Sequence, residues 1–326
     1  MTKTINLLLN GKIYNCQPGE TVLDALLRQK VSVPYACLKQ ICMSCTMQSL
    51  NGAPPIESQR NLKETLQLQN NFLACGCIPV RDMEICLNEE KLTTQVSAQV
   101  VEMNRLNQSI LELVLQCETA VGYHGGQSVL LLNYEHIGKK FSIASPSSAK
   151  SSGRIEIHVE RIVGAAFSTW LHEQLRIGDK LFVCGISGEL YYLPGEASQP
   201  LLLISWNGGL GALIGIVQDA FENDHVGPVY LFHCVFDSEQ LYFQTELNEI
   251  SEYFPNFHYI PFVQQGTVPK QGYRGDVAKT IAQILPDLTN WKVFLCGSRN
   301  QVHAIQRYAY LAGADMKDIY LEITSL

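Results

Sequence analysis

Residues 34–45 read PYACLKQICMSC, and residues 72–79 read FLACGCIP. The first stretch sets Cys37, Cys42 and Cys45 in the spacing C-x4-C-x2-C, and Cys75 follows thirty residues after Cys45. Seven of the eleven cysteines (Cys16, Cys37, Cys42, Cys45, Cys75, Cys77 and Cys86) fall within the first 90 residues, so this segment reads as a separate module. An odd cysteine count argues against a complete disulfide framework and for metal or redox chemistry.

The flanking residues give the module its frame. INLLL and KIYNC are apolar-rich runs separated by Asn10-Gly11, a pair that accepts the positive φ angles of a tight hairpin turn. Thr21 precedes VLDALLRQ with Asp24 three residues on, which predicts a capped helix burying Val22, Leu23, Leu26 and Leu27.

The cysteine spacing suits a [2Fe-2S] cluster, whose two bridged irons need four thiolates converging from two sides. One loop supplies three, and the fourth comes from elsewhere in the fold. Two other readings stay open at this point. Cys42, Cys45, Cys75 and Cys77 offer a zinc set, although C-x-C matches the usual second pair poorly and leaves Cys37 without a role. Alternatively, the thiols are simply buried. Hairpin, helix, cysteine loop and LACGCIP together resemble a plant-type [2Fe-2S] ferredoxin domain with a β-grasp fold, over residues 1–92. That resemblance implies Cys37, Cys42, Cys45 and Cys75 as the cluster ligands. Gln40 and Met43 stand where the family commonly has small residues or glycine.

The composition, 46% hydrophobic and 17% charged, is that of a folded globular chain. Its net charge of -7, with charges scattered rather than blocked, disfavours a nucleic-acid partner. No apolar run reaches the ~20 residues that span a bilayer, and MTKTINLLLNGK turns polar too early for a signal peptide, so a cytoplasmic protein is expected.

Residues 97–195 alternate apolar and polar positions in QVVEM, SILELVLQC, RIEIHVERIV and KLFVCG, the pattern of antiparallel strands in a small barrel. KKFSIAS (139–145) and GAAFSTWL (164–171) lie within it. Their order resembles the flavin-binding barrel of the ferredoxin reductase family, marked by R-x-Y-S and then a G-x-x-S stretch opening a helix. The resemblance implies that Ser142 contacts the flavin near N5 and that Phe141 packs on the ring system. Residues Gly164 to Ser168 would offer a helix N-terminus to the FAD diphosphate. Lys139 would replace the phosphate-binding arginine, keeping the charge without the two-pronged geometry, and Lys140 is a second candidate.

From residue 199 to 326, strands and helices alternate, which predicts a doubly wound parallel sheet. PLLLISW runs into N207GGLG211 and a helix, and KVFLCG ends at Cys296-Gly297, a strand end facing the same crevice. This pairing resembles the nicotinamide-binding domain of the same reductases. Gly208, Gly209 and Gly297 would line the nucleotide site, with Cys296 near the nicotinamide. The loop H233CVFDSEQLY242 has no arginine to clamp a 2′-phosphate, which favours NADH, with NADPH the other candidate.

The whole chain is therefore expected to be multidomain α+β and α/β: a β-grasp ferredoxin domain, an antiparallel β-barrel flavin domain and a doubly wound nucleotide domain. It resembles the single-chain reductase components of bacterial oxygenases and of related deoxysugar-reducing systems. That implies an NAD(P)H-dependent oxidoreductase passing electrons through FAD and a [2Fe-2S] cluster to an oxygenase component, a sugar dehydratase or another redox protein. Ser142 and Cys296 would be its catalytic side chains. The alternative, motivated by the departures at Gln40, Met43, Lys139, Phe141 and Trp206 (the last at the first position of the reductases' usual G-G-T-G), is a carrier or scaffold that has lost the flavin or nucleotide chemistry.

Overall fold

The computed structural model describes residues 4–35, 38–40, 45–87, 95–162, 164–195 and 197–324. Cys37, Cys42 and Met43 lie outside them. The chain divides into two compact units, residues 1–93 and 94–326.

In the first unit, β1 (Ile5–Leu9) and β2 (Lys12–Cys16) form the expected hairpin, turned by Asn10 at φ 52° and Gly11 at φ 74°. Helix α1 (Val22–Arg28) follows, with the Thr21 hydroxyl accepting the Asp24 N–H at 3.1 Å. Then come β3 (Thr46–Ser49), α2 (Glu64–Leu68), β4 (Asn71–Leu73) and β5 (Met83–Leu87). The sheet order is β2-β1-β5-β3-β4, and the β1–β5 pair is parallel. This is the β-grasp arrangement. Helix α1 buries Val22, Leu23, Ala25 and Leu26 in a core shared with Met47 and Phe72. Ala25 takes the fully buried place expected of Leu27, which is only partly covered.

The second unit begins with a barrel: β6 (Val96–Arg105), β7 (Ile110–Cys117), β8 (Ser128–Leu132), β9 (Gly138–Ser142), β10 (Arg154–Glu160), helix α3 (Ala166–Glu173) and β11 (Lys180–Ser187). The order β10-β7-β6-β11-β8-β9 is antiparallel throughout, and an Ile143–Ile157 bridge joins the two ends. Alternation decides what each side of β10 does. Ile155, Ile157 and Val159 fill the barrel core, so Glu156, His158 and Glu160 point away from it.

The same unit continues with β12 (Leu201–Trp206), α4 (Leu210–Glu222), β13 (Val229–Asp237), α5 (Gln244–Tyr253), β14 (Phe257–Gln265), β15 (Tyr273–Arg274), α6 (Val277–Ile284), β16 (Lys292–Gly297), α7 (Arg299–Leu311) and β17 (Ile319–Ile323). The sheet is wholly parallel, in the order β15-β14-β13-β12-β16-β17. Helices cover both of its faces, which explains why every residue of β12 and β16 is buried. The order reverses between β12 and β16, the place where such sheets open a ligand crevice.

Helix α4 fastens the barrel to this sheet. Buried Asp219 accepts the Gly125 N–H at 3.1 Å, the Ser147 hydroxyl at 2.6 Å and the Ser147 N–H. A turn higher, Gly215 meets Gly125 backbone to backbone: a Cβ on Gly125 would lie 2.5 Å from the Gly215 carbonyl oxygen. No helix among the described residues is long and apolar enough to cross a membrane.

Candidate flavin, nucleotide and cluster sites

The outward side of β10 faces the turn Asn207–Gly209 and the start of α4, and β9 runs beside it. Between them lies a cavity of about 230 Å³. Lys139, Lys140, Phe141 and Ser142 form one wall, Gly208 and Gly211 a second, and Glu160 and Glu322 contribute acids.

Each acid has a cation at hand. Burial raises the Glu160 carboxyl above its ordinary range, while the Gly208 N–H, at 3.3 Å, and the charge of Lys139 pull it back. Burial likewise raises Glu322, opposed by the Ser128 hydroxyl and by Lys140. Behind the cavity, His158 and His233 both set their rings edge-on to Tyr242, at 5.6 and 5.2 Å between centroids. Burial, assisted by nearby His158, lowers His233 to about 3, so it is a neutral, packed ring.

The residues expected from the sequence divide into three groups. Lys139, Phe141, Ser142 and Gly208 line the cavity. Phe141 also reaches into the barrel core, its ring 6.2 Å from that of Phe167. Gly209, Cys296 and Gly297 form the layer beneath. Cys296 is fully buried, and a Cβ on Gly209 would come within 2.9 Å of its sulfur. A Cβ on Gly297 would strike the Trp206 ring at 2.8 Å, so both glycines are steric necessities of the strand ends.

The third group is the start of α3. Gly164 adopts φ 84° with open space where a side chain would project, and no side chain among the described residues caps the helix, which leaves its first amides to an anion. Ser168 is buried and turns inward: its hydroxyl donates to the Ala165 carbonyl at 3.2 Å and accepts the Ile162 N–H at 3.4 Å. Ile162 itself reaches the cavity wall. An uncapped helix start, two lysines and a cavity at the sheet's switch point fit the diphosphate and ring of a flavin dinucleotide.

In the first unit, the Ala74 N–H donates to the Cys45 carbonyl at 3.0 Å, which brings buried Cys45 beside half-buried Cys75 in the turn Ala74–Gly76. Two cysteines carried on neighbouring backbone at one end of the sheet fit part of a cluster's ligand set. Cys77 belongs to the apolar core, where burial pushes its thiol up to about 12. Gln40 stands at φ 59° and lays its side chain against Gly76, with a buried Oε1 that has no hydrogen-bond partner among the described residues.

Two residues escaped the sequence reading. Glu160 ends an apolar-alternating strand, and its outward register was the available signal. Glu322 sits in IYLEI, whose alternation marks the last strand, β17, directly beside Cys296 of β16.

Residues 7–80 match the 2Fe-2S iron-sulfur cluster binding domain, and residues 208–307 match the oxidoreductase NAD-binding domain. The phenol hydroxylase P5 protein of Acinetobacter pittii is 30% identical over 302 residues, covering 88% of this chain and 84% of that protein. The reductase subunit of an aromatic O-demethylase from Amycolatopsis is 27% identical over 315 residues, 92% of each. Among solved structures, the Amycolatopsis cytochrome P450 reductase GcoB aligns with a TM-score of 0.69 at 25% identity, covering 98% of both chains.

Proposed function

Because the chain belongs to the family of oxygenase reductase components, in which a plant-type [2Fe-2S] ferredoxin domain is joined to a ferredoxin-reductase-like module, we propose that it takes electrons from NADH and delivers them to an oxygenase component. The protein is an NAD(P)H-dependent oxidoreductase working through FAD and a [2Fe-2S] cluster. When bound, the flavin supplies the conversion from a two-electron hydride to single electrons, which the cluster relays. The observation that carries the acceptor class is the match over 88% of the chain to a phenol hydroxylase component.

In this reading, Cys37, Cys42, Cys45 and Cys75 hold the cluster, within a domain spanning residues 1–92. Lys139 neutralises flavin phosphate charge, the amides from Gly164 to Ser168 bind the diphosphate, and Ser142 hydrogen-bonds the ring, with Phe141 packed behind it (residues 97–195). The amides at Gly208 and Gly209 receive the nicotinamide dinucleotide in residues 199–326. Cys296 and Gly297 form the floor under that turn, with Ser142 the polar group on the reacting side.

NADH is favoured over NADPH by Asp237 at the end of β13. In a doubly wound sheet an acid at this strand end accepts from the ribose hydroxyls and repels a 2′-phosphate. Asp237 accepts the Glu239 N–H at 3.1 Å and a Gln265 amide hydrogen at 3.2 Å, which fixes its orientation. The reading places the protein in the cytoplasm, where its reductant is made.

The test is an anaerobic titration followed in the visible spectrum, with iron, sulfide and flavin analysis of the same sample. Flavin and cluster bands that bleach with NADH ahead of NADPH, and recover on adding an aromatic-ring oxygenase component, support the reading. Chromophores that ignore both nucleotides overturn it. Recovery only with a sugar dehydratase changes the acceptor.

A further inference from the structure

The glycine turn that opens α4 already holds a carboxyl oxygen. Glu160 Oε2 accepts the Gly208 N–H at 3.3 Å, and a Cβ on Gly208 would lie 2.8 Å from that oxygen and 2.9 Å from Glu160 Cβ. Main-chain amides at such a turn, ahead of a thirteen-residue helix, are the donors a dinucleotide diphosphate uses. The contact follows from register: Glu160 is an outward position of β10, and that side of the strand packs on the turn.

We infer that Glu160 is an internal competitor for the nicotinamide dinucleotide, its carboxylate occupying the Gly208 amide so that the incoming diphosphate binds only after the side chain has left. The inference rests on the reading of this turn as the nucleotide site. Lys139, across the cavity on β9, lends the positive charge that favours the ionised form of the Glu160 carboxyl. The consequence is weaker ground-state binding of the nucleotide and faster release of NAD+, an effect on occupancy rather than on hydride transfer.

The charges around Glu160 define how pH enters. Lys139 faces it from β9, His158 lies two residues back on its own strand, and Lys140 and Glu322 stand on the other walls. Tyr242 and Cys296, from the nucleotide layer, are held protonated by burial. Burial also raises Glu160, so lowering the pH neutralises it before an ordinary glutamate and relieves the competition.

The test is calorimetric titration of the full-length, FAD-loaded protein with NAD+, which binds without reducing the flavin, using wild type, Glu160→Gln and Glu160→Ala. Glu160→Ala is expected to bind NAD+ about tenfold more tightly at about pH 8, with the gap narrowing at about pH 6, and Glu160→Gln, which loses the charge but keeps an oxygen for the Gly208 N–H, is expected to fall between Ala and wild type. ADP-ribose, which keeps the diphosphate and lacks the nicotinamide, should show the same gain. Equal or weaker binding by the variants, or a gain confined to NAD+, overturns the competition alone. Absence of binding by all three proteins overturns the nucleotide reading with it. Two substitutions are compared at matched flavin content, so that a folding defect in one does not decide the result.

Discussion

The Ser128 hydroxyl, on barrel strand β8, donates a 2.8 Å hydrogen bond to Glu322 Oε1 on β17, the last strand of the nucleotide sheet. This bond compensates a carboxylate that burial disfavours and that Lys140 only partly balances. In the folded chain Glu322 therefore ionises at a higher pH than in the unfolded chain. Stability from its protonated form is complete below the ordinary glutamate range and is lost as pH rises through the raised value. Glu322→Gln keeps an acceptor for Ser128 and cannot ionise, so it should gain on wild type as pH rises. Melting curves at about pH 5 and about pH 8 are expected to show a difference that widens by about 2–4 °C per kcal/mol of relieved cost. A pH-independent difference would place the cost elsewhere.

Gly209→Ala tests the layer under the nucleotide turn. The residue has φ -63°, which alanine accepts, so the penalty is purely steric: the new methyl meets the Cys296 carbonyl oxygen at 2.7 Å and sulfur at 2.9 Å. Overpacking of about 1–3 kcal/mol is expected, with NAD+ affinity falling about tenfold as the turn shifts. Differential scanning calorimetry and nucleotide titration read the two effects separately.

Gln40→Gly should stabilise the ferredoxin unit. The substitution removes a left-handed non-glycine residue, worth about 1–2 kcal/mol, and deletes a buried amide oxygen that has no hydrogen-bond partner among the described residues. The thermal loss of cluster absorbance is expected to move to higher temperature. An earlier loss would show that the glutamine side chain against Gly76 supports the loop.

Asp237→Asn retains an oxygen to accept the Glu239 N–H and removes the charge. The ratio of kcat/KM for NADPH to that for NADH should rise about tenfold, mostly through KM, because a full charge no longer opposes the 2′-phosphate. An unchanged ratio would remove Asp237 from nucleotide selection.

Much of this architecture is legible in local sequence because the deciding interactions are local. Asn10-Gly11 specifies its turn by backbone preference, Thr21 and Asp24 cap a helix from three residues apart, and the β10 alternation separates Ile155, Ile157 and Val159 from their outward neighbours. The cavity is less legible because it is assembled from distant strands. Glu322 meets Ser128 across 194 positions, and Glu160 meets Gly208 across 48, so neither contact leaves a periodic trace. Cys296 shows the opposite failure. Its position at the end of a strand was readable, while its burial under Gly209 depends on a turn from another strand. Ser168 likewise stands where expected in sequence, yet its hydroxyl serves the turn before α3.

The Gly125–Gly215 contact bears on how such chains can be recombined. Where two backbones touch with no side chain between them, a chimera that takes its barrel from one relative and its nucleotide sheet from another inherits only half of a matched pair. Any β-carbon on either side wedges the seam open, and Asp219, a turn away, loses its reach to Gly125 and Ser147. The natural cut for exchanging parts of this protein is therefore between its two compact units, and the barrel and nucleotide sheet are inherited as a single cassette.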